Sequence, residues 1–359
     1  MSRLGSTLPA SSSPREGVDP TPSRTSSSTV HDLGEGRLEP THPTERTPRP
    51  LRIDATGAPA NLLERLLVGS YITGHDHVIL TARGGLTPVQ RKEIHRVVER
   101  TLGMTVVGDG PGIVEVQNFV DPAKFELPRL IHRVVQMLRS ELGFCRTALL
   151  EKDRRPLAAV EAMEEEIDQL YLLMVRQLLI SSDSPRIARI IDVESHHYQI
   201  GDRLVAKMLE VIGDLVHGIA TELEGHLVAL SRMPPGLVRL FAARLGRLDH
   251  LLDRTMEAFG QLSVIGANAT LNDIGAALEH DANLGQMICR RVPNRRVAVS
   301  AQRIACDLVM ALEMLVVINE VTINRTVEPE TSVHAGIHAH PDTHGPYGGP
   351  SALIRPRAP

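Results

Sequence analysis

The chain has no tryptophan, five phenylalanines and four tyrosines among its 359 residues. So few rings cannot fill a core, which must therefore be aliphatic. Sandwiches and barrels lean on aromatic and β-branched strands, so their absence favours helix packed on helix. Cysteine is scarce as well. Cys145, Cys289 and Cys306 lie far apart inside apolar runs. Their odd number argues against a disulfide framework, their spacing does not make a zinc pattern, and core packing is the role expected of each. No stretch approaches about 18 uninterrupted apolar residues, so no membrane-spanning helix is expected. The first residues hold no apolar segment of the secretory kind, and the expected location is cytoplasmic. Charge of one sign is also missing. Lys and Arg number 39 against 43 Asp and Glu, which leaves no broad basic footprint for nucleic acid.

What is present is helical periodicity. Over Gly201 to Leu223, Leu204, Met208, Val211, Ile212, Leu215, Ile219 and Leu223 recur at spacings of three and four, which predicts one long helix with that side inward. Arg203, Lys207, Glu210, Asp214, His217 and Thr221 form a second stripe, predicted to face away from the core. Glu210 and Asp214 are one turn apart within it. Like charges at that spacing repel unless they are solvated or neutralised. The spacing alone leaves open a solvated face and a site where two carboxylates converge on a cation.

In chain order, residues 1–50 are rich in Ser, Thr and Pro and cannot bury enough surface to offset their ordering entropy, so they are expected to be disordered. Residues 51–120 read as a small α+β module. In it, Leu62 to Tyr71 is predicted helical and His77 to Ala82 a strand. Thr87 caps a helix that Pro88 opens, and strands at Met104–Val107 and Ile113–Phe119 flank the turn Gly108-Asp109-Gly110-Pro111-Gly112. That glycine run lacks a following Lys-Ser/Thr and opens no helix, so it reads as a plain turn and not a phosphate loop.

Three helices are then predicted within 121–230: Pro122–Asp153, Leu157–Ile180 and the long helix already described. The second carries Glu161, Glu164, Glu165 and Asp168 on one side. Three more are predicted within 231–327, at Pro235–Gln261, Leu271–Arg291 and Val297–Thr326. This internal repeat is the strongest architectural signal. In the second copy Glu279 is followed four residues later by Asn283, and Glu313 by Val317, so carboxylates are lost there. Residues 328–359 read as a disordered tail with His334, His338, His340 and His344.

The run Leu209-Glu210-Val211-Ile212-Gly213-Asp214-Leu215-Val216-His217-Gly218-Ile219-Ala220 resembles the signature helix of the PhoU phosphate-uptake regulators, whose pattern is close to L-E-R-I-x-D-H-x-x-x-I-A. Glu164-x-x-x-Asp168 followed by Gln169-Leu170-Tyr171 is similar to the family's other acidic motif. Leu62 to Leu80 resembles the entry segment of archaeal PhoU-like chains. The likeness implies a mainly α fold: two tandem three-helix bundles behind the α+β module. It implies a regulator of phosphate uptake and homeostasis, not an enzyme. Such a regulator acts by contact on a phosphate ABC transporter's ATPase subunit or on a phosphate-sensing kinase. Acidic stripes would hold a divalent or trivalent metal ion (iron, zinc, manganese or magnesium), with Glu164, Asp168, Glu210 and Asp214 as ligands and His217 as a softer candidate. A homodimer is expected from the long exposed helical faces.

The sequence also offers two other readings. Archaeal relatives often carry an AbrB-type DNA-binding module at the N-terminus, and Arg3–Pro9 and Gly36–Pro40 resemble its remnants. That would make the protein a DNA-binding regulator of phosphate genes, but the strands expected between the fragments are missing. A di-iron carboxylate enzyme needs two Glu-x-x-His pairs. The sequence offers one, Glu194-Ser195-His196-His197.

Overall fold

The computed structural model describes residues 50–121, 124–193 and 196–327, and two short strands at 29–32 and 38–41. Residues 1–49 form one unit and residues from 50 onward another. In the first, β1 (Thr29–Asp32) pairs antiparallel with β2 (Leu38–Thr41), Thr29 opposite Thr41. A hairpin therefore stands inside a segment expected to be disordered or a degenerate AbrB-like module. Thr29 and Val30 are β-branched and suit it. The Arg3–Pro9 fragment and the histidine tail lie outside the described residues.

The second unit begins with the α+β module: β3 (Leu51–Asp54), α1 (Leu62–Ile72), β4 (His77–Thr81), α2 (Pro88–Arg100), β5 (Met104–Gly110) and β6 (Ile113–Asn118). The sheet order is β3-β4-β6-β5. β3 runs parallel to β4, and the other pairs are antiparallel. Leu63, Leu67 and Tyr71 of α1 and Ile94 and Val97 of α2 bury against Val78, Leu80, Val114 and Val116. Thr87 caps α2 as the sequence predicts: its side chain accepts from the Gln90 backbone, and the Gln90 side chain reaches back to the Thr87 N–H at 2.9 Å. β5 runs through Gly110, leaving only Pro111-Gly112 as the turn. Arg91 Nη2 donates to the Gly110 carbonyl at 2.7 Å and closes it.

The helical body follows: α3 (Leu127–Glu151), a 3₁₀ turn at Arg155–Ala159, α4 (Val160–Ser182), α5 (Pro185–Ile190), α6 (His196–Leu230), α7 (Pro235–Gly260), α8 (Val264–Asp281), α9 (Leu284–Arg291) and α10 (Arg295–Val327). α3, α4 and α6 pack together, and so do α7, α8 and α10. The two sets join through α6 on α10 and α3 on α7, with one continuous aliphatic core. The single helix predicted over Leu271–Arg291 is two. Ser263 caps α8 through Gly266 N–H at 3.0 Å, and the chain breaks at Ala282–Asn283 before α9.

Ile212, Ile219 and Leu223 of the predicted face of α6 are buried, but the rest of the inward stripe is shifted by one residue. Leu204 is 40% exposed and Met208, Val211 and Leu215 are only partly buried, whereas Val205, Leu209, Ile212, Val216 and Ile219 are fully buried. α6 is wedged between α3 and α4 on one side and α10 on the other, and those partners choose the inward stripe. Two cysteines also depart from expectation. Cys145 is buried, but Cys289 and Cys306 lie on outward faces of α9 and α10. No helix among the described residues is long and apolar enough to cross a membrane.

Arg176 of α4 fastens the module to the helices. Its side chain is 1% exposed, pairs with Asp76, donates to the Tyr71 carbonyl and lies 5.0 Å from the Tyr71 ring centre. Arg176→Ala is expected to cost about 2 kcal/mol, because the Tyr71 carbonyl keeps only the Gly74 N–H, Asp76 loses its cation and the ring loses its stacked neighbour. Urea denaturation measures the loss. Limited proteolysis between β6 and α3 should accelerate in the variant.

Candidate metal centre

The site is built at the seam of α4 and α6. On α4, Ile167 and Leu170 turn inward. This holds Glu164 and Asp168 half-buried at the seam and leaves Glu161 and Glu165 in solvent. On α6, Gly213 lets the helices approach. A Cβ there would meet Ile167 Cγ2 at 3.3 Å and Leu138 Cδ2 at 3.5 Å. The next residue, Asp214, is thereby brought to the α4 stripe. Carboxylate oxygens of Glu164, Asp168 and Asp214 lie within 4.8 Å of one another. Oxygens bound about 2.0–2.6 Å from one ion sit at such separations.

Three side chains partly neutralise this cluster. Arg100 Nη2 of α2 is 3.0 Å from Asp168 Oδ2, Lys207 pairs with Glu210, and His217 Nδ1 is 3.9 Å from Glu164 Oε2. Burial, reinforced by the Asp168 charge, raises the pKa of Glu164 and of Asp214 above the ordinary carboxylate range. Burial also raises Glu210, although Lys207 opposes it. Four carboxylates thus face Arg100, which also serves Glu64, and Lys207, so negative charge is in excess at the seam. A divalent cation would offset that excess.

Two residues of the site were not anticipated. Arg100 arrives from the α+β module, and no spacing rule links it to Asp168. Glu141 of α3 lies beneath the seam, fully buried, and neither of its carboxylate oxygens has a hydrogen-bond partner among the described residues. Burial and then the Glu164 charge push its pKa from 4.5 up to about 8. A signal for it exists in the sequence: Glu141 stands three residues from Leu138 and four from Cys145, both buried on the inner face of α3.

The structure brings Glu164, Asp168 and Asp214 together and sets Glu210 and His217 at the flanks. His217 also borders a groove of about 530 Å³ between α6 and α10, lined by Asp214, Glu222, Arg303, Cys306 and Asp307. In the second helical set Glu279 and Glu313 are exposed, and no comparable cluster forms there among the described residues. Glu194, Ser195 and the side chains of His196 and His197 lie outside the described residues. All-oxygen donors, Glu164 and Asp168 half-buried and Asp214 exposed, suit a hard cation such as magnesium, manganese or iron. No protein-family model matches this chain, and no curated protein matches it either.

Proposed function

We propose that the protein is a PhoU-like regulator of phosphate uptake that holds a divalent cation at Glu164, Asp168 and Asp214. The observation that carries the reading is the meeting of two acidic motifs from separate helices, Glu164-x-x-x-Asp168 and Glu210-x-x-x-Asp214, at one seam. The resemblance of both motifs to the family's signature supplies the phosphate connection, and the pairing of two three-helix sets agrees with tandem bundles. In this reading the cation ties α4 to α6 and sets the shape of the helical surface. That surface is offered to a phosphate-transporter ATPase subunit or to a phosphate-sensing kinase. Regulation of this kind requires no nucleophile.

The first test is metal-linked stability of the full chain. After chelation, adding manganese or magnesium should raise the melting temperature, because an ion at about a hundred times its Kd stabilises by about 2.7 kcal/mol. Glu164→Gln/Asp214→Asn should melt higher than the metal-free wild type, since mutual repulsion is relieved, and should no longer respond to metal. The second test is a tagged pull-down from native cells in abundant and in scarce phosphate. Recovery of a transporter ATPase or sensor kinase that varies with phosphate supports regulation. Absence of both metal response and such partners would sink the reading.

The β1–β2 hairpin favours a second reading, a DNA-binding regulator of phosphate genes. A gel shift that weakens steeply with salt would support it, because phosphate contacts release counterions.

A further inference from the structure

Three turns of the helical body share one end. Leu149 of α3, Leu223 of α6, Met233, Phe241 of α7 and Ile304 of α10 line one small crevice there. Arg154 Nη2, in the α3–α4 connection, donates to the Glu224 carbonyl of α6 at 3.2 Å. Glu222 of α6 accepts from Ser300 Oγ and Arg303 Nη1 of α10, each at 2.7 Å. The α3–α4, α6–α7 and α9–α10 connections therefore cluster together.

That end is basic, in a chain whose net charge is −4. Arg290, Arg291, Arg295 and Arg296 crowd the α9–α10 turn. All four are exposed, and none has an ion-pair partner among the described residues. Exposed Arg154 and Arg232 join them from the other two turns. Of the nearby carboxylates, Asp153 is held by Arg155 and Glu222 by Arg303. Glu151, Glu161, Glu224 and, one turn beyond Arg303, Asp307 remain, too few to balance six guanidinium groups and Lys152. Arginine forks match phosphate oxygens in bidentate fashion, and four like charges in one turn make a local positive field that attracts polyanions.

Aliphatic side chains protrude at the same end: Leu150 is 45% exposed and Val228 63%. Among the described residues no exposed aromatic ring lies there. Phe119 and Phe125 lie before the N-terminus of α3, at the opposite end of that helix. There is no platform on which bases could stack. Basic groups with protruding aliphatics are instead the makings of an interfacial surface. We propose that this end of the helices is a peripheral docking surface for anionic lipid, with the arginines binding headgroup phosphate oxygens while Leu150 and Val228 enter the headgroup layer. The surface is independent of the cation site.

The test is sedimentation of the full chain with vesicles of phosphatidylcholine alone and of phosphatidylcholine mixed with phosphatidylglycerol. The wild type should pellet only with the mixed vesicles, and moderate salt should release it. The variant Arg290→Ser/Arg291→Ser/Arg295→Ser/Arg296→Ser should melt like the wild type and lose binding by at least about tenfold. The corresponding four Arg→Lys changes, which keep the charge and lose the bidentate fork, should bind more weakly than the wild type and more tightly than the serine variant. No pelleting with mixed vesicles at low salt overturns the proposal, as does undiminished binding by the serine variant. Retention of duplex DNA or inorganic polyphosphate without retention of vesicles assigns the arginines to a soluble polyanion and overturns it too.

Discussion

Asp202→Ala is expected to be among the most destabilising single exchanges in the helical body, at about 3–5 kcal/mol. Asp202 and Arg325 are 1% and 3% exposed at the crossing of α6 and α10. Arg325 pairs with Asp202 and donates to the Tyr198 carbonyl at 3.1 Å. Its guanidinium lies 4.9 Å from the Tyr198 ring centre and 4.4 Å from that of Phe259. Gly201 makes the crossing possible. A Cβ there would stand 3.0 Å from Val321 Cγ1 and 3.2 Å from Arg325 Nε. Removing the carboxylate takes from a buried guanidinium the Asp202 charge it is paired with inside this crossing. Removing both charges is a milder change, because a buried pair draws little net stability from its own attraction. Asp202→Leu/Arg325→Met should therefore recover much of what Asp202→Ala loses. Urea denaturation of the three proteins reads the difference. A loss below about 1 kcal/mol for Asp202→Ala would show the pair to be solvated, as surface pairs are.

The same crossing explains what the sequence could and could not reveal. Thr87-Pro88, the acidic spacings on α4 and α6, and the three-helix repeat are local patterns. Capping, i,i+4 geometry and helical period dictate them without knowledge of the partners. The shifted stripe of α6 is different. Leu204-Val205, Met208-Leu209, Val211-Ile212 and Leu215-Val216 are adjacent apolar pairs, so two inward stripes about 100° apart fit the period equally well. Only α10 and α4 decide between them, and they select Val205, Leu209, Ile212 and Val216. Cys289 and Cys306 fail for the same reason: apolar neighbours in sequence do not set the phase of one residue on its helix. β3 is four residues long, too short for alternation to announce it, and its parallel pairing with β4 is non-local. Arg100 is invisible because it reaches Asp168 across 68 residues of sequence.

Replacing Glu141 with methionine should raise the stability of the metal-free protein at pH 8 by about 3 kcal/mol and flatten its dependence on pH. The carboxyl is fully buried without a hydrogen-bond partner, and burial and then Glu164 push its pKa from 4.5 to about 8. A carboxyl raised in the folded state contributes most when both states are protonated, below about 4.5. That contribution is lost progressively as pH rises through about 8, because the unfolded chain releases its proton first. Wild-type stability should therefore fall between pH 5 and pH 8, while the methionine variant, with a side chain of similar length, stays level over the part due to this group. Glu141→Gln should also flatten the profile. It should remain less stable than the methionine variant at both pH values, since an unpaired amide is still desolvated. Urea midpoints at pH 5 and pH 8 in the presence of chelator check the set, and parallel profiles for wild type and Glu141→Met would show that Glu141 is solvated. The position also bears on the proposed cation site, because Glu164 contributes to the shift at Glu141 and is itself raised by burial and Asp168. A cation at Glu164, Asp168 and Asp214 would offset both repulsions. Manganese should accordingly stabilise the wild type more at pH 8 than at pH 5, because burial raises the pKa values of Glu164 and Asp214 and so lets protons compete with the ion as pH falls.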